Sequence, residues 1–196
     1  MEGSNPDGAR AAEILDAVET LVLRHRTLAL SFGEISEQVG ISRSLIYVYY
    51  DTVAAMIEAL FLNHLESVER DMQRAVTDTE SFRIRALARA TAYMNYCVER
   101  GAFLQLVLRE ASGDSPLGPQ ARAQFRHAMR RLAGETAQGL QVSPREAFVI
   151  LELIAAIPES LARMVVDEAL DRDTATQTCE RLVGAAIDSL AMSSAD

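Results

Sequence analysis

Residues Ser31–Tyr50 read SFGEISEQVGISRSLIYVYY. Ser31 followed by Glu34 has the form of a capping box, in which the serine hydroxyl takes one backbone N–H and the carboxylate takes another. The box opens a short helix that stops before Gly40, the residue that tolerates a positive φ in a tight turn. Ser42 can then cap a third short helix over Arg43–Tyr50. Ile35, Val39, Ile41 and Ile46 are spaced to bury both helices against a preceding one. This is helix-turn-helix grammar: the second short helix offers its first turn and one face to a major groove. A three-helix packing unit with no groove to read fits the same pattern.

Outward from this stretch, apolar residues recur at helical spacing and no alternating strand stands out. A first helix is expected from about Ala9 to Arg24, with Ile14, Leu15, Val18, Leu21 and Val22 on one face. Thr52 can cap a long fourth helix to about Val76. Ser81–Glu99, ended by Gly101, and Phe103–Ala111 follow, then a loop rich in glycine and proline over Ser112–Pro119. A helix over Gln120–Gln138 is expected to stop at Gly139. Ser143, Pro144 and Glu146 together mark the start of another, running to about Asp167 and able to bend at Pro158. Asp173 is the expected cap of a last helix ending near Met192. The expectation is an all-α chain of about nine helices. It divides into a disordered tail (1–8), a three-helix domain (9–51) and a larger helical domain (52–196).

Composition narrows the chemistry. The 196 residues carry 19 Lys+Arg against 28 Asp+Glu, a net charge of −9, and every one of the cations is arginine. Without lysine there is no P-loop lysine, no Schiff base and no lysine general base. So acidic a chain does not grip nucleic acid over its whole surface, and any DNA site has to be a local patch. Cys97 and Cys179 lie far apart with no metal or redox spacing, as in a reduced cytoplasmic protein. MEGSNPDGAR lacks the apolar core of a signal peptide. The longest apolar run, Ala147–Ile157, is too short for a bilayer and contains Glu152, so a soluble chain with no membrane partner is expected. His25, His64 and His127 stand singly and are expected as surface or capping residues. With no HExxH, no nucleophile elbow and no glycine-rich phosphate loop, neither an enzyme nor a cofactor or metal is expected.

The order Ile14-Leu15, then Ile35-Ser36-Glu37-Gln38-Val39-Gly40-Ile41-Ser42, then Ile46-Tyr47-Val48-Tyr49-Tyr50 and Met56 resembles the N-terminal signature of the tetracycline-repressor (TetR) family. The match covers about residues 10–60. The resemblance implies a homodimer in which helices one to three read operator DNA. The later helices, 52–196, would bind a small, largely apolar effector and pair the subunits. Effector binding would respace the two reading heads and release the operator, relieving repression. Position by position, it implies that Ser31 hydrogen-bonds a phosphate and that Ser42, Arg43 and Ser44 open the recognition helix, with Arg43 reading a guanine edge. Tyr47 would rest on the DNA backbone, and Thr52 would cap helix four beside a phosphate. Leu45 and Val48 would meet thymine methyls. Ile46, Tyr50 and Met56 match core positions.

The chain departs from the family pattern at several points. Val53 stands where a cation is usual, Gly33 where a basic or polar residue is, and His25-Arg26-Thr27 lacks the glycine usual after helix one. Residues 9–64 hold four arginines (Arg10, Arg24, Arg26, Arg43) against seven acids, a net of −3. Such a head must use few, well-placed arginines. A TetR-fold dimer that has lost specific DNA binding, and acts through its ligand or a protein partner, is the alternative.

Helix eight, from Ala147 to Ile157, is apolar on nearly all sides, and Leu182, Val183, Ala186, Ile187 and Leu190 form a stripe on helix nine. A two-fold four-helix interface would bury both, as would a monomer core. The resemblance implies a homodimer through these last two helices. Tyr93, Met94, Cys97, Phe103, Leu106, Phe125, Met129 and Phe148 suit an apolar cavity lined by helices five to eight, or plain core. Glu152, a carboxylate in an apolar helix, either pairs with an arginine or faces a cationic ligand. Arg122, Arg126 and Arg130 share one face of helix seven. That face is either solvated, salt-bridged to Glu66, Glu69 and Asp71, or the mouth of an anion site.

Overall fold

The computed structural model describes residues 6–77, 81–110 and 117–193. Among the described residues there are nine α-helices and no strand: α1 (Pro6–His25), α2 (Phe32–Val39), α3 (Arg43–Tyr49), α4 (Val53–Arg74), α5 (Phe82–Arg100), α6 (Phe103–Glu110), α7 (Pro119–Leu140), α8 (Pro144–Val166) and α9 (Arg172–Ser193). The chain divides into two compact units. One comprises Met1–Leu65 with Ala102–Ala123, the other Glu66–Gly101 with Gln124–Asp196. The boundary expected after residue 51 therefore falls inside the first unit, which also holds the first half of α4 and all of α6.

The first unit is built on α1. Its stripe Ile14, Leu15, Val18, Leu21 and Val22 is buried, as are Ile35 on α2, Ile46 on α3, Met56, Ile57, Leu60 and Phe61 on α4, and Phe103, Leu104 and Val107 on α6. α1 packs on α2 and α6, and α2 packs on α3. Each large side chain buried here contributes about 1.5–3 kcal/mol of transfer free energy. His64 corrects its expectation as a surface residue. It is buried on the α4 stripe shared with Phe61, Leu65 and Val68, its Nε2 lies 3.3 Å from Glu19 Oε1, and its ring stacks on Phe103 at 4.8 Å. Phe103, expected in a cavity, is thereby committed to the core of this unit.

In the second unit α5 packs against α8 and α9, and α8 packs against α9. Met94, Tyr96, Cys97, Ala147, Ile150, Leu161, Cys179, Val183 and Ile187 form its interior. Arginines tie its rim. Arg83 grips Asp188 at 2.7 and 3.0 Å, and Arg172 reaches Glu99 at 2.6 Å and Asn95 at 3.0 Å. These pairs are exposed, so each contributes little and mainly orients the helices.

Three helix ends differ from expectation for physical reasons, while α8 ends at Val166, close to its expected end. α1 begins at Pro6 rather than Ala9, since proline is well suited to a first helical turn; residues 1–5 of the expected tail lie outside the described residues. α7 runs through Gly139 to Leu140. A Cβ on Gly139 would fall 2.2 Å from Cγ of Phe82, so this glycine permits close approach of α5 and does not end a helix. α9 is capped by Asp171 rather than Asp173, with Asp171 Oδ1 accepting the Thr174 N–H at 2.8 Å. α8 continues through Pro158, which is buried. Most of the expected loop at Ser112–Pro119 lies outside the described residues, and α7 starts at Pro119.

Candidate functional site

The head is assembled from local hydrogen bonds. Ser31 Oγ accepts the Glu34 N–H at 3.2 Å, while the Glu34 carboxylate accepts the Ser31 N–H at 2.8 Å and its hydroxyl at 2.7 Å. Those bonds, side chain first and then backbone, hold the Glu34 carboxyl below the usual carboxylate range. Gly40 takes φ 77° and donates to Ser36 O at 2.9 Å, closing α2. Ser36 Oγ donates to Ile41 O, pinning the turn. Ser42 then caps α3 by accepting the Leu45 N–H at 3.3 Å. Thr52 repeats the motif at α4, accepting the Ala55 N–H at 3.0 Å.

Because Ile46 is fully buried, the opposite face of α3 is open. Ser42, Arg43 and Ser44 are exposed, and Leu45, Tyr47 and Val48 are 37%, 52% and 74% exposed. The Tyr47 ring is stacked on Phe32 at 4.2 Å and 16°, so its direction is fixed from α2. Phe32 was not among the expected site residues; its place one residue after the Ser31 cap was the available signal. Ser31 sits where expected, but its hydroxyl proton is held by Glu34, so an incoming phosphate must share it with a carboxylate. Arg43 lies back across α2: a Cβ on Gly33 would be 2.6 Å from its Nη2 and 3.3 Å from its Cζ. Of the other head arginines, Arg10 pairs with Glu13 and Arg24 Nη1 reaches Gln38 Oε1 at 3.4 Å.

The expected cavity residues separate. On α5, Met94 and Cys97 are buried, and the half-buried Tyr93 donates its hydroxyl to Glu159 Oε1 at 2.7 Å. Phe125 and Met129 on α7 are half-buried, as is Leu106 on α6 in the other unit. Phe148 and Glu152 are both exposed. At about 3.6 residues per turn they share an outward stripe with Val149, Leu153 and Ala156, opposite the buried Ala147, Ile150 and Leu161. Their expected place in a cavity is therefore corrected: they lie on the open face of α8. Glu159 was missed because its partner Tyr93 is 66 residues away in sequence. The acid on α4 that meets α7 is Glu69, and its partner is Arg131 at 3.0 Å; Arg122, Arg126 and Arg130 are exposed.

Solved structures align with nearly the whole chain. A TetR family transcription regulator from Marinobacter aquaeolei VT8 is 18% identical with a TM-score of 0.74, covering 92% of this chain and 96% of its own. A bacterial regulatory protein in the tetR family from Rhodococcus RHA1 is 16% identical with a TM-score of 0.72, covering 94% and 97%. The fold is TetR-like. No protein-family model matches the chain, and no curated protein does. Within the TetR-like fold the departures noted in sequence find their places. Arg26 takes φ 54° after α1, the left-handed position where a glycine is usual. Val53 opens α4 half-buried. Among the described residues no single helix is long and apolar enough to cross a membrane.

Proposed function

We propose that the chain is a TetR-like DNA-binding transcriptional regulator, a repressor released from its operator by a small, largely apolar effector, and not an enzyme. One observation carries this reading: α2 and the Ser42-capped α3 meet at a left-handed Gly40 and leave Ser44, Leu45, Tyr47 and Val48 open on the outer face. That is the geometry a helix needs to enter a major groove. Ser31 and Tyr47 are the proposed backbone contacts and Arg43 the proposed base reader of a head formed by residues 9–51, with Thr52, the cap of α4, beside a phosphate.

In the proposed assembly, residues 52–196 pair two subunits and hold the effector. The dimer is supported by large apolar side chains left exposed on adjacent helices: Phe148, Val149, Leu153 and Met164 on α8, Leu182 and Met192 on α9. So much exposed apolar surface along two packed helices fits a self-complementary two-fold interface. The effector site is proposed among Tyr93, Met94, Cys97, Phe125 and Met129, with the Tyr93–Glu159 pair as its polar group.

A mobility-shift assay on the DNA flanking its own coding region tests the reading. Specific retardation, weakened by Tyr47→Ala and by Arg43→Ala, is the expected result. The head's acid excess and the Glu34 carboxylate on Ser31 favour a second reading, a TetR-like dimer without operator binding. Absence of retardation even at low salt would establish it.

A further inference from the structure

Resting on the effector site proposed above, we infer that the effector is a cation, an amine or ammonium group on an apolar body, and that the Glu159 carboxylate on α8 is its counter-ion.

Glu159 is a half-buried carboxylate whose Oε1 accepts the Tyr93 hydroxyl at 2.7 Å, a bond from α5 that fixes its direction. The phenol is neutral, so it satisfies one lone pair and leaves the charge unanswered. Oε2 takes no hydrogen bond from the described residues, and Glu159 forms no ion pair among them. Its counterparts are treated differently. Among the described residues of the same unit the other half-buried glutamates are Glu69 and Glu135, and both have arginines: Glu69 meets Arg131 at 3.0 Å, and Glu135 is held by Arg89. On α8 itself Arg163 stands one turn beyond Glu159, at the spacing of an i,i+4 pair. It is exposed instead, with its Nη2 3.5 Å from Ser160 Oγ. Taking a carboxylate out of water without an opposite charge is costly, and a bound cation removes that cost. A neutral apolar molecule would leave the charge covered and unanswered, and an anion would be repelled by it. The rest of the proposed site suits the body of such a molecule. Met94, Cys97, Phe125 and Met129 are apolar, and the Tyr93 ring offers a π face on which a cation is favoured.

Isothermal titration calorimetry of the full chain with octylamine, octanol and octanoate provides the test, since the three share one alkyl tail and differ in charge. Octylamine should bind about tenfold more tightly than octanol, as a hydrogen bond to a charged partner implies, and octanoate more weakly than octanol. Glu159→Gln keeps an acceptor for Tyr93 and should remove the preference for the amine. Its affinity for octanol should be unchanged, which also shows that the variant is folded. Glu152→Gln removes the same charge from an exposed position on the same helix and should leave the preference intact. That comparison separates Glu159 from the general attraction of a chain of net charge −9 for cations. Octanol or octanoate binding as tightly as octylamine, or a preference that survives Glu159→Gln or is lost equally in Glu152→Gln, would overturn the cationic class while leaving the effector site in place. Failure of all three to bind saturably would overturn both.

Discussion

Arg26 holds a left-handed φ of 54° that a side chain adopts at a cost of about 1 kcal/mol. Arg26→Gly should therefore raise stability by up to about 1 kcal/mol, read as a higher urea midpoint with an unchanged m-value. A lower midpoint would mean that the arginine side chain contributes more than its backbone costs. Cys179 is the second residue whose environment sets its chemistry. It is fully buried on α9, and burial first, then Glu180, pushes its thiol up to about 11. Because the folded thiol stays protonated while the unfolded one ionises, stability is present below the ordinary thiol range and is lost as pH rises toward 11. Cys179→Ala should flatten that alkaline loss in thermal melts. Iodoacetamide at mildly alkaline pH should label Cys179 only after unfolding. Cys179 stands on a helix legible in sequence and Arg26 directly after one, yet neither the burial nor the φ was legible.

At the scale of elements, caps were the most legible feature, since a serine and an N–H three residues on communicate within one turn. Ser31, Ser42, Thr52 and Ser143 all cap where their local sequence indicates. One exception involves a distant partner: Gly139 is explained only by Phe82, a ring on another helix. Asp171→Ala should lower the urea midpoint, whereas Asp173→Ala should leave it unchanged. The Thr174 hydroxyl and N–H hold the Asp171 carboxyl below its usual range. Its contribution is thus present above the carboxylate range and lost as pH falls through the lowered value. Acid titration of wild type against Asp171→Asn should show a shallower acid loss in the variant.

At the scale of the whole molecule, the apolar stripe on α8 and α9 makes a prediction about assembly. Leu153, 67% exposed, lies among Phe148, Val149 and Ala156 on the outward side of α8. Leu153→Arg should convert a dimer to a monomer in sedimentation equilibrium with the circular dichroism spectrum unchanged. A wild-type chain that sediments as a monomer would exclude the proposed interface. DNA affinity should fall with the dimer, since two linked heads bind far more tightly than one.

Sequence by itself determined the helix periods, the cap at Ser31, the left-handed turn at Gly40 and the open face of α3. Each of these acts between residues at most a few positions apart. Tertiary structure alone decided that His64 lies buried on Phe103, that Phe148 and Glu152 face outward, and that Arg43 turns back over Gly33. A helix that is apolar nearly all round carries no mark of which side its neighbours will cover. A long side chain such as arginine goes where space is left, and the missing Cβ that leaves it belongs to another helix.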